Sequence, residues 1–140
     1  MNYKFLDDLT SDIMFEAYGK TPEELFSNAA EAMFSVICQL DKVSGKESRG
    51  VSLEADSIDK LMVGWLQELI SMVDTEEMFF SRFVVDSVKE EKGKWQLKAK
   101  VYGEPVTPEK GETVVKAVTN YGFKLEKTMH GYLVRVSVDI

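Results

Sequence analysis

At 140 residues and 15.9 kDa, with 44% hydrophobic and 29% charged residues, the chain has the make-up of one packed domain spanning 1–140 and is too apolar for disorder. Seventeen basic against 24 acidic side chains leave a net charge of −7, which argues against strong direct nucleic-acid binding. No apolar run is long enough to cross a bilayer, and Met1-Asn2-Tyr3-Lys4 lacks a signal-peptide core, so the expected setting is cytoplasmic, with no membrane partner.

The charge is unevenly spread. Residues 1 to 88 hold 17 of the acidic and 7 of the basic side chains, and the remainder hold 7 and 10. A solvated surface is the simplest reading of the acidic part, and a dock for a basic partner is the other.

Tyr3, Phe5 and Leu6 open a short strand, and Ile13, Phe15 and Ala17 alternate with Met14, Glu16 and Tyr18 until Gly19 stops the run. Thr21-Pro22-Glu23-Glu24 is a helix start, with a hydroxyl cap, proline in the first turn and acid suited to the helix dipole. Phe26, Ala29, Ala30, Met33, Phe34, Ile37 and Leu40 then recur at helical spacing.

After a polar connection around Ser44-Gly45, Val51 and Leu53 alternate toward Asp56, the expected cap of a second helix. That helix carries Leu61, Met62, Trp65, Leu66, Leu69, Ile70 and Val73 on one side.

The rest reads as strands: Met78 to Val85, Trp95 to Val101, Tyr121 to Lys127, and Tyr132 to Ile140, with turns at Lys92-Gly93 and His130-Gly131. Gly103 to Gly111, with Pro105 and Pro108, reads as a surface loop, followed by a short extended or helical piece from Thr113 to Thr119. Two amphipathic helices and several strands, each apolar on one face, predict an α+β two-layer sandwich with both helices on one face of a mostly antiparallel sheet.

The chemistry on offer is narrow. One cysteine, Cys38, sits in a helical apolar pattern and reads as a buried small hydrophobe, and one histidine, His130, falls in a turn, so neither a zinc site nor a Ser-His or Cys-His nucleophile can be built. Tyr18-Gly19-Lys20-Thr21 lacks the upstream glycine of a P-loop. Lys94, Lys98 and Lys100 share one strand face while Trp95 falls on the other, which reads as the wet side of a sheet or as edge protection, not a base-stacking platform.

What remains is oxygen. Asp12, Asp139 and the chain-end carboxylate of Ile140 would suit Ca²⁺ or Mg²⁺ on hardness grounds, provided that the tail folds back beside the first inter-strand bend.

The order of elements and several local strings resemble the archease family along nearly the whole chain. They are Asp8-Leu9-Thr10-Ser11-Asp12, Ala17-Tyr18-Gly19, Thr21-Pro22-Glu23-Glu24, Trp65-Leu66-Gln67-Glu68-Leu69, Leu97 to Glu104, Pro108-Glu109-Lys110, Val115-Lys116-Ala117-Val118-Thr119 and the closing Asp139-Ile140. The chain departs from the family pattern at Leu9, Gly111 and Tyr121, each where a histidine is usual.

The resemblance implies a non-catalytic accessory protein that activates an RtcB-type RNA ligase in tRNA splicing and RNA repair by promoting its guanylylation and turnover. It also implies metal ligands at Asp12, Asp139 and Ile140, with Ca²⁺ favoured and Mg²⁺ the alternative. A second reading is a chaperone-like adaptor for another RNA-modifying enzyme, such as a tRNA methyltransferase. A third, a metal-water hydrolase, has no separate general base in the sequence.

Overall fold

The structure, a computed structural model, describes residues 1–6 and 12–140. Strands β1 (Tyr3–Leu6) and β2 (Asp12–Gly19) lead into helix α1 (Pro22–Ile37), and β3 (Glu47–Ala55) leads into helix α2 (Ile58–Thr75). Strands β4 (Met78–Glu91), β5 (Lys94–Pro105), β6 (Ala117–Thr128) and β7 (Gly131–Asp139) follow, with 3₁₀ turns at Leu40–Lys42 and Pro108–Lys110.

The α+β class and the antiparallel pairing agree with the sequence reading, but the strands divide between two sheets. One has the order β1-β2-β7-β6 and the other β3-β5-β4. Both helices touch both sheets: α1 packs on β2 and β4, and α2 on β3 and β6. The cause is visible in α1, where Leu25, Phe26, Ala29, Ala30, Ala32, Met33 and Phe34 are all fully buried, an apolar surface too wide for one sheet to cover.

Polar ties fix α1 against each side. The Asn28 side-chain amide donates to the Tyr18 carbonyl at 2.7 Å in the first sheet. In the second, the Ser27 hydroxyl donates to the Phe83 carbonyl at 2.7 Å, and the Glu23 carboxylate accepts the Val88 amide at 2.9 Å. The buried Trp65 indole N–H donates to the Phe26 carbonyl at 2.9 Å and joins the helices. Phe34, edge-on to Phe80 with ring centroids 5.9 Å apart, is worth about 2 kcal/mol by burial alone.

Local signals set the element ends. The Thr21 hydroxyl accepts the Glu24 amide at 3.2 Å, as its sequence context predicts. For α2 the cap moves one residue on: the Ser57 hydroxyl accepts the Lys60 amide at 3.1 Å, while Asp56 pairs with Lys94 instead. Lys92 and Gly93, with φ of 55° and 79°, make the left-handed two-residue turn that matches strand twist. β4 therefore pairs with β5 all the way to Glu91, well past the Val85 expected from alternation.

Gly103, placed by the sequence reading in a loop, lies inside β5. A Cβ there would fall 1.8 Å from the Phe79 carbonyl oxygen, so only glycine lets β4 approach at the bulge between Phe80 and Arg82.

Candidate metal centre at the β2–β7 corner

Asp12 is the first residue of β2 and Asp139 the last of β7, and the antiparallel register sets them directly opposite each other. Directly opposed residues hold their Cβ atoms about 5 Å apart on one face of the sheet, and two like charges in that position repel. Both residues are partly buried, and no ion pair to either is found among the described residues.

Asp139 also pairs across to Ala117 of β6, and its carbonyl accepts the Lys116 amide at 2.7 Å. Ile140 continues from it, 38% exposed. The donors brought together are all oxygens, the set that a hard divalent cation takes, and the missing cationic partner is what such an ion would supply. Asp8 to Ser11, including Leu9, lie outside the described residues. Among the described residues no three His, Cys, Asp or Glu side chains cluster for a metal, so a cation held by Asp12 and Asp139 would need a further oxygen donor such as a chain-end carboxylate or a carbonyl.

Farther along the same two strands, Glu16 opposes Arg135. The buried Glu16 carboxylate accepts from Arg135 Nε at 3.2 Å and Nη2 at 2.9 Å. It also accepts the Tyr18 hydroxyl at 3.0 Å, and Lys4 Nζ stands 3.7 Å away. Burial pushes its pKa up, but the hydrogen bonds from Arg135 and Tyr18 outweigh it and hold the carboxyl below its ordinary 4.5. Burial, with the hydrogen bond to Glu16, pushes the Tyr18 phenol to about 12.

The remaining candidate residues separate from this corner. His130 is exposed in the β6–β7 turn. The Cys38 thiol is buried, and burial, reinforced by Glu104 and Glu112, raises it to about 12, which removes thiolate chemistry. Gly111 bridges Cys38 and lies against the Phe79 ring. Tyr121 is exposed, its carbonyl accepting the buried Ser137 hydroxyl at 3.0 Å. Lys98 and Lys100 lie exposed on β5, the central strand of its sheet, so they form a wet face and protect no edge. The Glu16–Arg135 pair escaped sequence reasoning, because strands 119 residues apart give no local sign that they meet.

Residues 3–140 match the model of the Archease protein family (MTH1598/TM1083). The chain belongs to the archease family. It is 44% identical over 140 residues to the protein archease of Methanosarcina mazei, covering 99% of this chain and 95% of that one. With the protein archease of Pyrococcus abyssi it shares 42% identity over 124 residues, covering 87% of each. The solution structure of protein 1598 of Methanobacterium thermoautotrophicum superposes with a TM-score of 0.85 at 30% identity, covering 99% of both chains.

A crystal structure of an archease from Thermotoga maritima, described as a possible chaperone, superposes with a TM-score of 0.57 at 16% identity over 94% of this chain and 91% of that one. It supports the shared archease fold. Among the described residues, no helix is long and apolar enough to cross a membrane.

Proposed function

We propose that this archease-family chain is a non-catalytic accessory protein that promotes guanylylation and turnover of an RtcB-type RNA ligase in tRNA splicing and RNA repair. In this reading it uses a corner that holds a divalent cation, Ca²⁺ in preference to Mg²⁺, through Asp12, Asp139 and a carboxylate at Ile140. The observation that supports it is the direct opposition of Asp12 and Asp139, two carboxylates with no cationic partner found among the described residues.

A hard cation at that corner neutralises the opposed carboxylates and fixes the end of β7. The chain's own part is to present a rigid surface there. Asp12 and Asp139 are held by the β2–β7 ladder, and the Lys116 amide clamps the Asp139 carbonyl, so the corner meets its partner with little ordering left to do.

The test is a ligase guanylylation assay with the cognate RtcB-type enzyme, with and without this protein. Stimulation that disappears with chelator, and with Asp139→Asn, supports the reading. No stimulation by the wild-type protein rejects it, and a cytoplasmic pull-down recovering a tRNA methyltransferase but no ligase moves the function to an adaptor role.

A further inference from the structure

At the C-terminal ends of the two helices lies an open cleft of about 790 Å³. Its floor includes Ile70, Phe79 and Val115, all buried. Its lip carries Val114, 78% exposed, and Val106, 40% exposed, and a large aliphatic group left this open marks a contact surface better than a scattered one does.

The rim is acidic. Asp74, Glu77 and Glu112 line the cleft, and none of them has an ion-pair partner among the described residues. The nearby cations are committed elsewhere: Arg49 to Glu76 at 2.6 Å and Lys110 to Glu104 at 2.8 Å. Lys116 follows Val115 in the chain but does not line the cleft. Both helices end here with no basic residue in the last turn, so the negative ends of their dipoles add to the carboxylates. In the crossing segment, Glu112 and Thr113 donate their amides to the Ile37 and Val36 carbonyls at 2.9 and 3.1 Å, which holds Val114 at the lip.

We propose that this cleft docks a protein segment in which one or two aliphatic side chains are flanked by lysine or arginine. The aliphatic groups fill the floor, and the flanking cations meet Asp74, Glu77 and Glu112. Nucleic acid and anionic lipid carry the wrong charge for this rim, and the volume suits a few side chains. The inference rests on the reading above for the partner's identity and deepens it. The cleft and the carboxylate corner share one end of the molecule, where Val115 leads to Lys116 and its bond to Asp139, so one partner can hold both.

The first test needs no ligase. Isotopically labelled protein is titrated in NMR with a synthetic dodecapeptide of leucine pairs separated by lysines, beside one control with the lysines replaced by glutamate and another with the leucines replaced by serine. Shifts centred on Val106, Val114 and Val115, with binding weakened about tenfold by either control, by Val114→Asp and by Glu77→Lys with Glu112→Lys, support the site. Absent shifts, shifts centred elsewhere, or controls that bind equally well overturn it. So does self-association through the same residues without peptide, which makes the occupant a second copy of this chain.

In the second test, Val114→Asp weakens binding to the RtcB-type ligase about tenfold while Ca²⁺ binding is unchanged. Unchanged ligase affinity overturns the docking role. If the wild-type chain fails to bind or stimulate the ligase, the functional reading falls, and the peptide titration alone decides the cleft.

Discussion

The β2–β7 ladder carries two cross-strand charge pairs that follow opposite rules. Glu16 faces Arg135, a match reinforced by Tyr18 and Lys4, whereas Asp12 faces Asp139 at the end of the same ladder. A fold optimised for stability alone would use the first arrangement twice. The second leaves like charges opposed at a corner, a local conflict of the kind that marks functional sites. The contrast teaches that the middle of the ladder holds the fold together while its end carries an opposition of like charges that stability does not explain.

The largest break comes at the corner. Asp12→Ala is expected to abolish ligase stimulation in the guanylylation assay while circular dichroism stays that of the wild type; retained stimulation removes the corner from the function. Next is the middle of the ladder. Glu16→Ala leaves the partly exposed Arg135, 36% exposed, without its partner, and should lower unfolding free energy by about 2 kcal/mol in urea titration. A loss under about 0.5 kcal/mol would make the matched pair decorative.

Binding should then sharpen the difference. Ca²⁺ at one hundred times its dissociation constant stabilises a chain that holds it only when folded by about 2.7 kcal/mol, so thermal unfolding of the wild type shifts upward with Ca²⁺ and that of Asp12→Asn does not.

The pH dependence follows the matched pair. Glu16 has its folded pKa below the ordinary 4.5, so its contribution is complete above that value and is lost as pH falls through the lower folded one. Tyr18 has its folded pKa raised from 10.0 to about 12, so its contribution is complete below 10.0 and is lost as pH rises toward 12. Denaturation midpoints of Glu16→Gln and Tyr18→Phe, measured across those two windows, should each lack one flank of the wild-type profile.

The smallest effect has the opposite sign. With chelator present, Asp12→Asn relieves the like-charge opposition and should raise stability by about 0.2–1 kcal/mol. A fall instead would mean that the carboxylates already have a partner in the metal-free chain.

Local chemistry was easy to read from the residues. Thr21 and Pro22 announce α1, and alternation around Phe15 and Val136 announces β2 and β7, because caps and periodicity are written within a few positions. The division into two sheets was not readable, since it depends on β7 choosing β2 and β6 and on β5 choosing β3 and β4. Length misled at β4, where pairing with the long β5 extends the strand beyond its apolar alternation, and at β6, where Ala117 to Thr119 pair with β7 ahead of an irregularity that separates them from Lys124 to Thr128. Asp12 and Asp139 stand out in the sequence through the family resemblance together with oxygen-donor chemistry. Their register is a tertiary fact, as is the cleft, which gathers Ile37, Ile70, Phe79, Val106 and Val115 from separate elements.

The strand order β1-β2-β7-β6 seats β7 between β2 and β6. One segment thus covers the edges of two strands, so a change that loosens β7 unpairs β2 and β6 together and parts Asp12 from Asp139.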